Sequence, residues 1–139
     1  MKWRGRRGPL PWQARHMAIL TARDAADLFE PHFEDVVGER LVAVFLAADG
    51  RLLALDSLDE DESAVTLPMR ALVARALALD AAGLVIAHNH PSGDPGPSVQ
   101  DVRLTRRFAM VCDALGLVLH DHLIFAGGRC ESFRHLGLL

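Results

Sequence analysis

The run Leu84-Val85-Ile86-Ala87, followed at once by His88-Asn89-His90-Pro91 and a Pro/Gly-rich loop to Ser98, most constrains what this chain can become. Four apolar residues in a row read as a buried strand. In extended backbone, residues i and i+2 point to one face, so His88 and His90 converge as that strand ends. Ser98-Val99-Gln100-Asp101 then matches an S-x-x-D capping box, which opens a helix. Successive helical residues turn by about 100°, so Leu104, Thr105, Phe108, Val111, Cys112 and Leu115 share a stripe with Asp101 at its centre. A carboxylate on a buried face needs a partner, because an unpaired buried charge costs several kcal/mol. Two imidazoles and one carboxylate make a three-ligand Zn²⁺ site with a fourth position open for water, the arrangement of catalytic zinc.

The rest of the chain sets bounds on that centre. A length of 139 residues suits one domain with a single core. No apolar run approaches the ~18 residues of a membrane helix, and Pro9 and Pro11 interrupt any signal-peptide core. Cys112 and Cys130 form no CxxC pair, which fits a reducing cytoplasm. Lys2, Arg4, Arg6, Arg7 and Arg15 crowd the first fifteen residues, and the first acid is Asp24. The remainder therefore holds ten basic and eighteen acidic residues, a net charge of −8. Such a body has no general attraction for nucleic acid; only the tail has one. Residues 1–20 are expected to form a solvated, disordered extension, whose Trp3 and Trp12 permit nucleic-acid contact without demanding it.

Along the body, Thr21-Ala22-Arg23-Asp24 predicts a capped helix to Phe29 or Phe33. Strands are expected over Arg40 to Ala48 and Arg51 to Leu58, joined at Asp49-Gly50. An acidic loop and a short strand from Ala64 to Leu67 follow, then a helix from Pro68 to about Asp80. After the histidine strand come a helix from Ser98 to about Leu115 and a hairpin about Gly127-Gly128. This order predicts an α/β/α sandwich with a mixed sheet. Two nominal motifs fail. The string His88-Asn89-His90 spells HNH, but that nuclease signature names widely spaced residues. The nucleobase-deaminase pattern H-x-E with a downstream P-C-x-x-C is missing.

The pattern H-x-H, seven residues, S-x-x-D resembles the JAMM motif of MPN-type metalloproteases. The longer wording AHNHPSGDPGPS, with LHDHLIF and SFRHLGLL downstream, resembles the RadC-type JAB domain over roughly residues 21–139. The resemblance implies a single MPN (cytidine-deaminase-like) domain in which His88, His90 and Asp101 bind Zn²⁺. It selects Glu39, just before the first central strand, as general base, and Ser98 as hydrogen-bond donor to the tetrahedral oxyanion. His122 or Asp121 is expected to support the ligands, although a core or edge-strand histidine is the alternative. RadC-type proteins usually begin with a helix-hairpin-helix region, the family's sequence feature pointing to DNA. Here about twenty residues precede the first expected JAB helix.

The function that follows is a zinc-dependent metallopeptidase or isopeptidase, acting on a protein or peptide in the cytoplasm, with no membrane partner. Two alternatives are an accessory protein of DNA repair that uses the basic tail, and an inert MPN scaffold. A scaffold needs no ligand set, whereas all five expected residue types are present.

Overall fold

The computed structural model of the chain describes residues 18–19, 21–59 and 67–139. The basic tail, apart from Ala18 and Ile19, lies outside the described residues, as do most of the acidic loop and the strand expected from Ala64. Leu67, where that strand was expected to end, belongs to no strand.

Helix α1 covers Ala22–Phe29 and a single 3-10 turn continues it over Glu30–Phe33. Its start is the expected capping box. Thr21 N donates to Asp24 Oδ2 at 3.0 Å, and Asp24 N donates to Thr21 Oγ1 at 3.1 Å. Pro31 sits in the 3-10 turn, where its missing N–H costs little. Strands β1 (Arg40–Leu46) and β2 (Leu52–Asp59) pair antiparallel. Helix α2 covers Met69–Ala78, strand β3 Gly83–Asn89, and helix α3 Val99–Ala114. Strands β4 (Val118–Ala126) and β5 (Arg129–Ser132) form the hairpin at Gly127-Gly128.

The five strands make one mixed sheet in the order β2-β1-β3-β4-β5, in which only the β3–β4 pair is parallel. Each central strand alternates its apolar residues between two helix layers. Leu41, Ala43 and Phe45 of β1 and Leu84 and Ile86 of β3 join Leu72 and Ala76 of α2 and Phe108 and Cys112 of α3. Val42, Val44, Val85 and Ala87 face the other way, against Ala25 and Phe29 of α1. This is the expected α/β/α sandwich. Asp56 of β2 is buried and is held by Arg75 of α2, whose Nε lies 3.0 Å from its Oδ2, so one ion pair ties that helix to the sheet.

The helical stripe of α3 is narrower than its sequence suggests. Asp101, Thr105, Phe108 and Cys112 are buried, Leu104 and Val111 are half-buried, and Leu115 is exposed. Leu115 caps a helix that ends at Ala114, and Gly116, with φ of 72°, turns the chain away before Leu115 reaches the core.

Candidate metal centre

The alternation that buries Leu84 and Ile86 against α2 and α3 carries His88 onto the same face at the end of β3. His90 follows two residues later, and its N–H donates to Phe125 O at 2.9 Å, so the ladder with β4 holds it past the strand's end. A tight loop then returns the chain. Gly93 N donates to His90 O, Asp94 Oδ1 accepts from Gly96 N at 2.8 Å, and Pro95 is buried. The loop delivers Ser98 as N-cap of α3, with Asp101 in its first turn.

Three ligating side chains meet there. His88 Nε2 and His90 Nε2 are 2.9 Å apart, His90 Nε2 is 3.1 Å from Asp101 Oδ2, and His88 Nε2 is 3.6 Å from Asp101 Oδ1. Zn–N and Zn–O bonds near 2.0–2.1 Å put the corners of a tetrahedron about 3.3 Å apart. The nearest separations between the three groups, the two to Asp101 reaching different carboxylate oxygens, lie on either side of that value. Among the described residues this trio is the group of metal-ligating side chains close enough to share one ion.

Proton bookkeeping supports the fit. His90 Nδ1 lies 2.9 Å from Asp94 O, and a carbonyl only accepts, so Nδ1 carries the hydrogen. His90 thus turns its other ring nitrogen, Nε2, toward Asp101 Oδ2 at 3.1 Å, where either a proton or a metal cation joins the two atoms. His88 has its own relay. Its Nδ1 is 2.6 Å from His122 Nε2, and His122 Nδ1 is 2.7 Å from Thr105 Oγ1. Run from His88 to Thr105, the relay places hydrogens on both Nδ1 atoms and leaves His88 Nε2 bare for a metal. Run in reverse, it places a hydrogen on His88 Nε2, which the neighbouring His90 Nε2 accepts. Burial pushes the His88 imidazole down to about 4, with Asp101 pulling it up and His90 pushing it further down, so it is neutral at pH 7. Burial holds His122 well below its ordinary value, with His88 and His90 adding to the effect.

The other expected residues divide. Ser98 Oγ accepts from Asp101 N at 3.0 Å, which leaves its O–H free to donate elsewhere. Glu39 is half-buried one residue before β1. The antiparallel register pairs Leu41 with His88, so Glu39 enters β1 at the end of the sheet where β3 delivers the histidines. No hydrogen bond or ion pair among the described residues engages its carboxylate. His122 takes the supporting role beside His88, stacked on Phe133 with centroids 4.6 Å apart. Asp121 does not. It accepts from Ser132 Oγ, Arg134 N and His122 N, and so ties β4 to β5 and to the C-terminal turn. Thr105, read from sequence only as part of the helical stripe, is the far end of the relay.

A model of the RadC-like JAB domain family matches residues 19–138. The chain belongs to that family. Among curated RadC-family relatives, a UPF0758 protein of Rhodobacter capsulatus is 45% identical over 106 residues, which is 73% of this chain and 48% of the relative. One from Aquifex aeolicus is 34% identical over 125 residues, 88% of this chain and 53% of the relative. The chain thus spans about half the length of the RadC-family proteins it matches, and their names state no activity. Among the described residues no helix is long and apolar enough to cross a membrane.

Proposed function

We propose that this JAB domain is a zinc-dependent metallopeptidase or isopeptidase. The observation that carries the reading is the meeting of His88 Nε2, His90 Nε2 and the Asp101 carboxylate at nearest separations of 2.9, 3.1 and 3.6 Å, close to the edges of a tetrahedral zinc site. Zn²⁺ held there supplies Lewis acidity that lowers the pKa of water from about 15.7 to about 7. Glu39, its carboxylate unengaged, takes the proton from the attacking water and passes it to the leaving amine. The Ser98 hydroxyl donates to the oxygen that gains negative charge as the amide carbon becomes tetrahedral. His90 and Asp101 are held by the loop and the helix cap, so the ligand set needs little rearrangement on loading. Two unpaired cysteines fit a reducing cytoplasm as the setting.

The test begins with metal. The purified protein, supplemented with zinc, should hold about one equivalent, and the double variant His88→Ala/His90→Ala should hold none. With a peptide and isopeptide library read by mass spectrometry, Glu39→Gln should keep the zinc and lose about 10²–10⁴-fold in hydrolysis. Equal zinc content in the double variant ends the metal-centre reading. Full hydrolysis by Glu39→Gln assigns the base elsewhere.

A further inference from the structure

The residue between the two histidines has no part in the proposed chemistry, yet both ends of its side-chain amide are engaged. Strand alternation sends Asn89 away from the ligand atoms, toward the start of β1. Its Oδ1 accepts from Arg40 N at 2.7 Å and its Nδ2 donates to Gly38 O at 2.9 Å. The amide's orientation is forced, because Arg40 N–H only donates and Gly38 C=O only accepts. Those two groups belong to the peptide units on either side of Glu39. One primary amide therefore grips both peptide planes that define the backbone of the proposed base.

We infer that Asn89 is a positioning residue that holds Glu39 against the histidine pair, an inference that rests on Glu39 being the base. The surroundings give the clamp its importance. The segment entering β1 turns through two left-handed residues, Asp35 at φ 56° and Gly38 at φ 88°, and Val37 is fully exposed. No backbone–backbone hydrogen bond of a turn or loop engages residues 36–39 among the described residues. Downstream the chain has other anchors, since the Arg40 side chain reaches Asp59 and His32 O. Upstream of Glu39, the bond from Asn89 to Gly38 O is what joins this segment to β3. Gly38 has open space around the position of a Cβ, so its glycine is required by backbone conformation alone, and that conformation turns its carbonyl onto the amide. Because Asn89 is covalently flanked by His88 and His90, one residue and two hydrogen bonds add to the β1–β3 ladder in setting ligands and base relative to each other.

The experiment uses the full chain and zinc ion alone. Three quantities are read: zinc affinity by competition with a chromophoric chelator, hydrogen exchange at the Arg40 amide, and the carbon NMR shift of the Glu39 carboxyl on zinc addition. Asn89→Ala should bind zinc within about threefold of the unaltered chain, exchange the Arg40 amide about tenfold faster or more, and lose most of the Glu39 response. Asn89→Asp is isosteric and keeps the acceptor for Arg40 N–H while losing the donor to Gly38 O. It should keep Arg40 protected and still lose most of the Glu39 response, which separates positioning from general loss of fold. Unchanged exchange and an unchanged Glu39 response in Asn89→Ala overturn the inference. So does a zinc affinity weakened in step with them, which would make Asn89 a support of the histidines instead. If the unaltered chain takes up no zinc, the metal-centre reading fails, and the Arg40 exchange decides the clamp by itself.

Discussion

Asp101 has two sets of partners at once, and its carboxylate has enough acceptor positions for both. Oδ2 accepts from Ser98 N at 2.9 Å as half of the capping box and also faces His90 Nε2, while Oδ1 faces His88 Nε2. In Asp101→Asn the amide oxygen still accepts from Ser98 N, so the helix start should lose about 1 kcal/mol or less. The variant removes the negative charge from the ligand set, and zinc binding should collapse. His122→Phe probes the relay instead. It keeps a ring against Phe133 but withdraws the partner of His88 Nδ1, leaving Thr105 free to bond its own helix backbone. Loss of such an outer partner should weaken zinc binding by roughly 10–100-fold. Chelator competition with thermal melts checks both, and the order expected is Asp101→Asn weaker than His122→Phe, weaker than the unaltered chain.

At the scale of elements, β4 decides which of its histidines stands beside the candidate metal centre. Leu84 pairs with Leu119 and Val85 with Asp121, so His120 is an extra residue bulged from the ladder. Leu119 packs on the α2/α3 side. Simple alternation would turn residue 121 the same way, but the bulge shifts the phase by one and brings His122 there in its place. Next to the bulge, β3 approaches β4 closely. A Cβ on Gly83 would lie 2.6 Å from Val118 O and 2.5 Å from His120 Nε2, and the carbonyl cannot move aside as a side chain can. Gly83→Ala should therefore cost roughly 1–3 kcal/mol, read as a lower urea midpoint with an unchanged slope.

For the whole molecule, four histidines give stability a common dependence on pH. His88 is held down to about 4, chiefly by burial, and burial also lowers His32, His120 and His122. Each is kept neutral in the folded chain and gains a proton more readily once unfolded, at an ordinary value of 6.5. Below about pH 6.5 the unfolded chain binds more protons, so stability falls as pH falls toward the folded values. The chelator-treated protein should show a lower urea midpoint at pH 5 than at pH 7. Zinc should act in the opposite direction at pH 7. At a hundredfold excess over its dissociation constant it should add about 2.7 kcal/mol, and His88→Ala should abolish that gain. Calorimetric melts with and without zinc measure the difference.

Local signals were enough for the helices and strands of the described residues, apart from the strand expected to end at Leu67, and for the convergence of the ligands. Thr21 and Asp24 announce a helix start because a capping box is a contact within four residues, and the apolar run Leu84–Ala87 announces a buried strand for an equally local reason. His88 and His90 follow from a period of two, and Asp101 from a helical phase that any isolated helix would obey. The role of His122 could not be read this way. It depends on a bulge in β4, and the bulge exists only once β3 lies beside that strand. The placement of Glu39 at the histidine end of β3 is also tertiary, since it requires the β1–β3 register, and Glu39 lies 51 residues from His90 in the chain. The partners of Asn89 were hidden for the same reason. Gly38 and Arg40 lie 51 and 49 residues away in the chain, and hydrogen bonds across such a span are set by which strands pair, not by composition or period. Sequence alone determined which groups could bind a metal; the packing of β1, β3, β4 and α3 decided which other side chains stand around them.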